Sequence, residues 1–227
     1  MTTKEEITDF VSFIDMDLLP GVSEIENLAD SNRIHVQRLV YSNLVDRFDY
    51  LVDKLLLESC TNEYLTDYAY GKHDDPLSES KFVRLFRDGQ DIQSAVKTMI
   101  QNRLRDTLLR ERHSVKLQKL MLSFTIEDRL IMKPRINQST GNIMKTSKPS
   151  ASIPLSISGY ADWLYSRRNA IVHGGRTSKM LSRDLDQMLK RYRVKVADSF
   201  KLKLGSIRTA ATFYKEVSVL LQQSKGD

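Results

Sequence analysis

A single cysteine, Cys60, stands among the 227 residues, so no disulfide can close within the chain and no cysteine-rich metal site can form. No apolar run approaches the roughly 18 residues needed to cross a bilayer, and the most apolar long stretch is interrupted by Asp46, Asp49 and Asp53. The opening MTTKEEITDF lacks the charged-then-apolar layout of a secretion signal. These features predict a soluble protein of the reducing cytoplasm with no membrane partner. No period of about 20 to 50 residues repeats, which argues against a solenoid or propeller. No glycine-rich phosphate loop, HExxH or paired CxxC occurs, so nothing supports a P-loop nucleotidase, a zinc protease or a zinc ribbon. His73, Asp74 and Asp75 adjoin, but no second histidine stands at ligand spacing, so they read as a turn; neither metal nor cofactor is expected. His35 and His113 stand isolated.

The length suits one domain, and 41% hydrophobic with 28% charged residues supplies both a core and a solvated surface. The net charge of +6 is unevenly spread. Residues 1–30 hold one Lys against eight Asp or Glu, whereas residues 161–208 hold twelve Lys or Arg against Asp162, Asp184, Asp186 and Asp198. Residues 97–148 carry twelve basic against four acidic residues, so two segments could meet a polyanion or could simply be solvated helix faces.

Helical periodicity dominates. Residues 4–17 form a short amphipathic candidate, ended by Leu19, Pro20 and Gly21. In 33–58, Val36, Val40, Leu44, Phe48, Leu51 and Leu55 recur every three or four residues and predict one long helix with a single apolar face. A second long helix is expected from Asp91 to Arg112. Residues 133–155, rich in Ser, Thr, Asn, Lys and Pro, predict a long mobile loop. A helix then runs from Gly159 to Val172 and is stopped by Gly174 and Gly175, with glycine expected there in the left-handed conformation. Lys179–Arg191 is amphipathic, RYRVKV and SFKLKL alternate about a turn at Ala197 and Asp198 as in a small β-hairpin, and Gly205 and Ser206 open a final helix. The expected fold is mainly α, a helical bundle with that hairpin near the C-terminus.

The segment Arg167-Arg168-Asn169-Ala170-Ile171-Val172-His173-Gly174 places Asn after Arg and His five positions after Arg168. It resembles the R-x4-6-H signature of the HEPN ribonucleases, nearest to their RiboL-PSP branch. The last third of the chain and residues 33–58 carry the resemblance; residues 60–150 match no part of it. It implies a single HEPN-like helical domain over 1–227, a metal-independent endoribonuclease acting as a toxin or antiphage effector, RNA as substrate, a homodimer, and an antitoxin or regulatory protein as a further partner. The alternatives are a HEPN-like scaffold that binds RNA or a partner without cutting, and a basic helical protein that binds DNA.

The residue types suit that chemistry. RNA carries its own nucleophile: if His173 accepts the ribose 2'-hydroxyl proton, that oxygen can attack the adjacent phosphate while Arg168 holds the charge building on the non-bridging oxygens. Arginine stays charged and matches phosphate geometry, and histidine exchanges protons near neutral pH. An Arg and a His at a helix C-terminus are also simply favoured by the helix dipole. On an ideal helix Asn169 and His173 share a face while Arg168 points away, so either the helix end frays or two subunits pool their motifs. Asn169 would orient His173 or the phosphate. Arg167, Arg176 and Lys179 are the candidate RNA-contacting cations, although Arg167 lacks an immediately following Asn and could be merely solvated. Ser42, Asp46, Asp49 and Asp53 form one polar stripe within an arc of about 60 degrees, either a solvent face or part of the site. Asp49, in RFDYL, resembles the acid that HEPN families place beside the Arg and His, where it could orient Arg168. Trp163 and Tyr160 read as core or dimer contacts rather than base-stacking platforms.

Overall fold

The computed structural model describes residues 2–71, 79–89, 91–174 and 177–224. His73, Asp74, Asp75, Gly175 and Arg176 lie outside the described residues. Among the described residues helix accounts for 72% and strand for 2%, and no sheet forms, so the chain is mainly α.

Helix α1 (Thr3–Ser12) opens on a capping box in which the Thr2 hydroxyl accepts from the Glu5 backbone N–H and the Glu5 carboxylate accepts from that of Thr2. It does not stop at Pro20. A π-turn, Phe13–Leu18, joins it to α2 (Leu19–Glu24), where the proline occupies the first turn and its missing N–H breaks no ladder. Helix α3 (Asp30–Glu58) is the expected long helix, burying Tyr41, Leu44, Val45, Phe48, Leu51, Val52, Leu55 and Leu56. Three helices follow: α4 (Glu63–Tyr70), α5 (Glu79–Arg87) and α6 (Ile92–Asp106). Thr107 breaks α6 and a 3-10 turn, Leu108–Arg110, ends the rod earlier than the periodicity predicts. Helices α7 (His113–Ser123) and α8 (Asp128–Met132), which the periodicity did not announce, complete the middle.

The hub is α9 (Ile157–His173), which packs against α3, α7, α8 and α10 (Ser182–Tyr192). Small residues make that possible: Ser158, Gly159, Ala161, Ser166 and Ala170 are buried, and a Cβ at Gly159 would lie 2.7 Å from the Pro154 side chain. Helix α11 (Leu204–Ser224) closes the core with Ile207, Phe213, Tyr214, Val217 and Leu221. Phe48 stacks on Tyr214 at 4.2 Å, Tyr160 meets Phe213 edge-on at 4.9 Å, and the Tyr41 hydroxyl donates to the Leu164 carbonyl at 3.0 Å. Tyr160 is therefore core.

Two expectations about irregular segments change. The alternating residues after α10 do not pair with each other: Arg193 turns left-handed at φ 58, Val194 buries on the core, and residues 198–200 instead meet 178–180. Met180 N–H donates to Asp198 O at 2.6 Å and Phe200 N–H to Ser178 O at 3.1 Å around the single bridge Lys179–Ser199. No hairpin forms, because alternation specifies which side faces inward but not which strand lies alongside. The segment expected as a long loop does lack helix, yet it is tied down. Arg135 and Ile136 N–H both donate to Leu155 O, Ile136 bridges Ile143, and Gly141 at φ 85 presses on the backbone of α11.

Candidate functional site

The acidic residues of the α3 stripe lie against α7 and α9, Asp49 and Asp53 half-buried and Asp46 still exposed. The geometry follows from helical spacing: Asp46, Asp49 and Asp53 succeed one another a turn apart, and α7 and α9 bring cations to each. Arg168 pairs with Asp46, its Nη2 donating to Oδ2 at 3.0 Å and its Nε lying 2.8 Å from Oδ1. The Nε contact is an ion pair without hydrogen-bond alignment, so the fork is anchored by one good bond and one charge contact. The Arg168 Nη1 reaches Asn169 Oδ1 at 3.4 Å, and its guanidinium carbon lies 6.0 Å from the centre of the Tyr165 ring. Arg168 keeps 22% of its side chain exposed and Asp46 keeps 46%, so a pair of this kind contributes at most about 1 kcal/mol to folding. Its consequence is orientation: the guanidinium is tied to Asp46 while part of the Arg168 side chain stays exposed.

Asp49 is engaged elsewhere. Its Oδ1 lies 2.6 Å from His113 Nδ1 and 2.7 Å from Lys116 Nζ, and the same ammonium lies 2.6 Å from Asp53 Oδ1. Burial alone would raise the Asp49 pKa, but the hydrogen bond and charge of His113, with the charge of Lys116, outweigh it and bring the carboxyl down to about 2. Burial would lower the Lys116 pKa, but the Asp49 and Asp53 carboxylates push it up instead. The expectation that Asp49 orients Arg168 is thus corrected: Asp46, one turn earlier on the same stripe, makes that contact. Direction of approach decides it, since α9 crosses α3 at Asp46 while α7 crosses it at Asp49 and Asp53.

Asn169 is buried beside Arg168, and His173 is the exposed last residue of α9. The helix stays intact through His173, so fraying does not bring the imidazole round; on ideal helical geometry it projects about 140 degrees from Arg168. Gly174 ends α9 at φ −83 rather than in the left-handed region. Glycine is required there for space: a Cβ would lie 2.2 Å from Ala170 O and 2.8 Å from Thr177 O.

Of the three candidate RNA-contacting cations, Arg167 is only 5% exposed. Its guanidinium carbon lies 4.6 Å from the Trp163 ring centre, 4.4 Å from Phe200 and 5.6 Å from Tyr41, an aromatic box that takes it off the phosphate-accessible surface. Lys179 is exposed on the Lys179–Ser199 bridge, beside a shallow depression shared with Ser178, Asp198 and Lys201. Arg176 falls outside the described residues. Among the described residues no group of three or more His, Cys, Asp or Glu gathers as a metal site would require, and no helix is long and apolar enough to cross a membrane.

No family model, curated protein or solved structure matches the chain. Four of the site's residues, Asp46, His113, Lys116 and Tyr165, were not singled out from sequence. Asp46 was one of several equivalent positions on the stripe, and His113 looked isolated because its partner lies 64 residues away. The only sequence signal was His113 and Lys116 at i, i+3, matching the i, i+4 spacing of Asp49 and Asp53.

Proposed function

We propose that the chain is a HEPN-type endoribonuclease of the cytoplasm that works without a metal ion, as a homodimer whose subunits pool their motifs. One observation carries the reading: Arg168 is held by Asp46 and Asn169 with part of its side chain exposed, and His173 is exposed at the end of the same helix. A fixed guanidinium and a free imidazole are the two groups that 2'-hydroxyl attack requires.

In the reaction, neutral His173 takes the 2'-hydroxyl proton, O2' bonds to the adjacent phosphorus, and Arg168 donates to the non-bridging oxygens as their charge rises. The P–O5' bond breaks and the leaving oxygen takes a proton from a protonated His173 of the second subunit. One product carries a 2',3'-cyclic phosphate and the other a 5'-hydroxyl. The roughly 140-degree divergence of Arg168 and His173 within one helix favours completion of the centre across a two-fold axis. Cutting cellular RNA would make the protein a toxin or antiphage effector, with an antitoxin or regulatory protein restraining it.

Purified protein incubated with single-stranded RNA in excess chelator is expected to shorten it, and His173→Ala to leave it whole. No cleavage, or equal cleavage by the variant, removes the proposal. RNA binding with a steep salt dependence and intact RNA length points instead to a non-cutting scaffold.

A further inference from the structure

Four contacts form a closed circuit through three helices. Asp46 on α3 holds Arg168 on α9; one turn before Arg168, the Tyr165 ring lies 6.0 Å from its guanidinium. The other neighbour of Tyr165 is the imidazole of His113, the first residue of α7, at 5.2 Å and only 5° from parallel. His113 is wholly buried, meets Phe48 at 5.6 Å, and returns to α3 through its bond to Asp49, one turn from Asp46. Lys116 braces the same carboxylate one turn further along α7. The circuit fixes the spacing of α3, α7 and α9 at the point where Arg168 leaves α9.

One detail argues against plain packing. His113 Nε2 is buried with no hydrogen-bond partner, an expense that a Phe ring at the same position would avoid. A histidine here is explained if its tie to Asp49 is needed to hold the ring in place. Burial pushes the Tyr165 pKa up, so its phenol stays protonated and adds no charge beside Arg168.

We propose that His113 and Tyr165 are positioning residues for Arg168: the imidazole, tethered by Asp49, backs the Tyr165 ring, and the ring sets where the guanidinium meets the scissile phosphate. This rests on the nuclease reading. Neither residue touches the reacting atoms; both act through Arg168.

Three variants separate positioning from stability. Tyr165→Phe keeps the ring and is expected to cleave within about twofold of the native chain. Tyr165→Leu removes it and is expected to lower kcat on the order of tenfold to a hundredfold with little change in KM, since displacing a catalytic group by about an ångström costs that much. His113→Phe keeps an aromatic ring, a slightly larger one, and removes both the orphaned Nε2 and the Asp49 tether. It is expected to melt lower than the native chain, since Asp49 loses that partner, yet to stay folded at the assay temperature, where it loses kcat as Tyr165→Leu does. The Arg168 Nε–H resonance in a 1H–15N spectrum gives a readout independent of activity. It is expected to shift or broaden in Tyr165→Leu and His113→Phe and to stay in place in Tyr165→Phe. Native kcat in both Tyr165→Leu and His113→Phe with an unmoved Nε–H signal overturns the proposal. Failure of the native chain to cut any RNA overturns the nuclease reading and the catalytic role with it, and the Nε–H signal then decides the physical coupling alone.

Discussion

In the proposed reaction single side chains carry the chemistry, and others carry only stability. Replacing Arg168 or His173 by Ala is expected to reduce RNA cleavage on the order of 10²-fold to 10⁴-fold, with melting within a few degrees of native, because both side chains are at least partly exposed. Assays beside thermal melts check this. Gly141→Ala is the opposite case. At φ 85, with a Cβ that would sit 2.1 Å from Thr209 O, it is expected to cost at least about 1–2 kcal/mol, read as a lower denaturant midpoint. Arg167→Ala should also destabilise, by about 1–3 kcal/mol, because the aromatic box loses the guanidinium packed in it, and should leave RNA affinity largely intact. Asp49 sets an acid limb. Its folded pKa of about 2 lies below the unfolded value near ~3.9, so its contribution is complete above about pH 4 and disappears as pH falls toward 2. That contribution is about 2 kcal/mol, and Asp49→Asn should flatten the difference in stability between pH 5 and pH 2 measured by urea unfolding.

Elements show which parts of the fold can be read from a sequence and which cannot. Helix α3 was legible because its apolar residues recur at helical period over seven turns, and α11 because Gly205 and Ser206 precede a similar run. Helix α9 was legible for another reason. It is buried on most sides, so its apolar pattern is weak, but the motif and the following glycine mark its end. Helix α7 was missed because His113, Ser114 and Lys116 look like surface residues until their partners on other elements are known. Arg112 beside it tells the same story: it holds Asp162 at 2.9 Å and lies 3.4 Å from Asp184, both 1% exposed, from helices far along the chain. Ion pairs between distant segments leave no local periodicity. The hairpin failed for the related reason that alternation encodes a face and not a partner. Asp49 was misassigned to Arg168 because a stripe of equivalent carboxylates says nothing of the order in which neighbouring helices cross it.

At the scale of the molecule, the described residues make one helical assembly centred on α9, and the sequence segment that contains the end of that helix, residues 161–208, carries a cationic excess. In the proposed reaction that excess would draw RNA phosphates toward Arg168 by a field that salt screens. Cleavage is therefore expected to slow steeply as salt rises, and more steeply for the native chain than for Lys179→Ala, by the difference in slope of rate against salt. The divergence of Arg168 and His173 within one helix makes a second copy part of the account, so specific activity should fall on dilution below the dimer dissociation constant, as read by sedimentation and activity at the same concentrations. The chemistry of the cut ends tests the whole most directly. Mass spectrometry of RNA fragments made in excess chelator is expected to find 2',3'-cyclic phosphate paired with 5'-hydroxyl, and neither end in digests by Arg168→Ala or His173→Ala. Fragments ending in 5'-phosphate, or native yields from either variant, would contradict the convergence of guanidinium and imidazole on one phosphodiester.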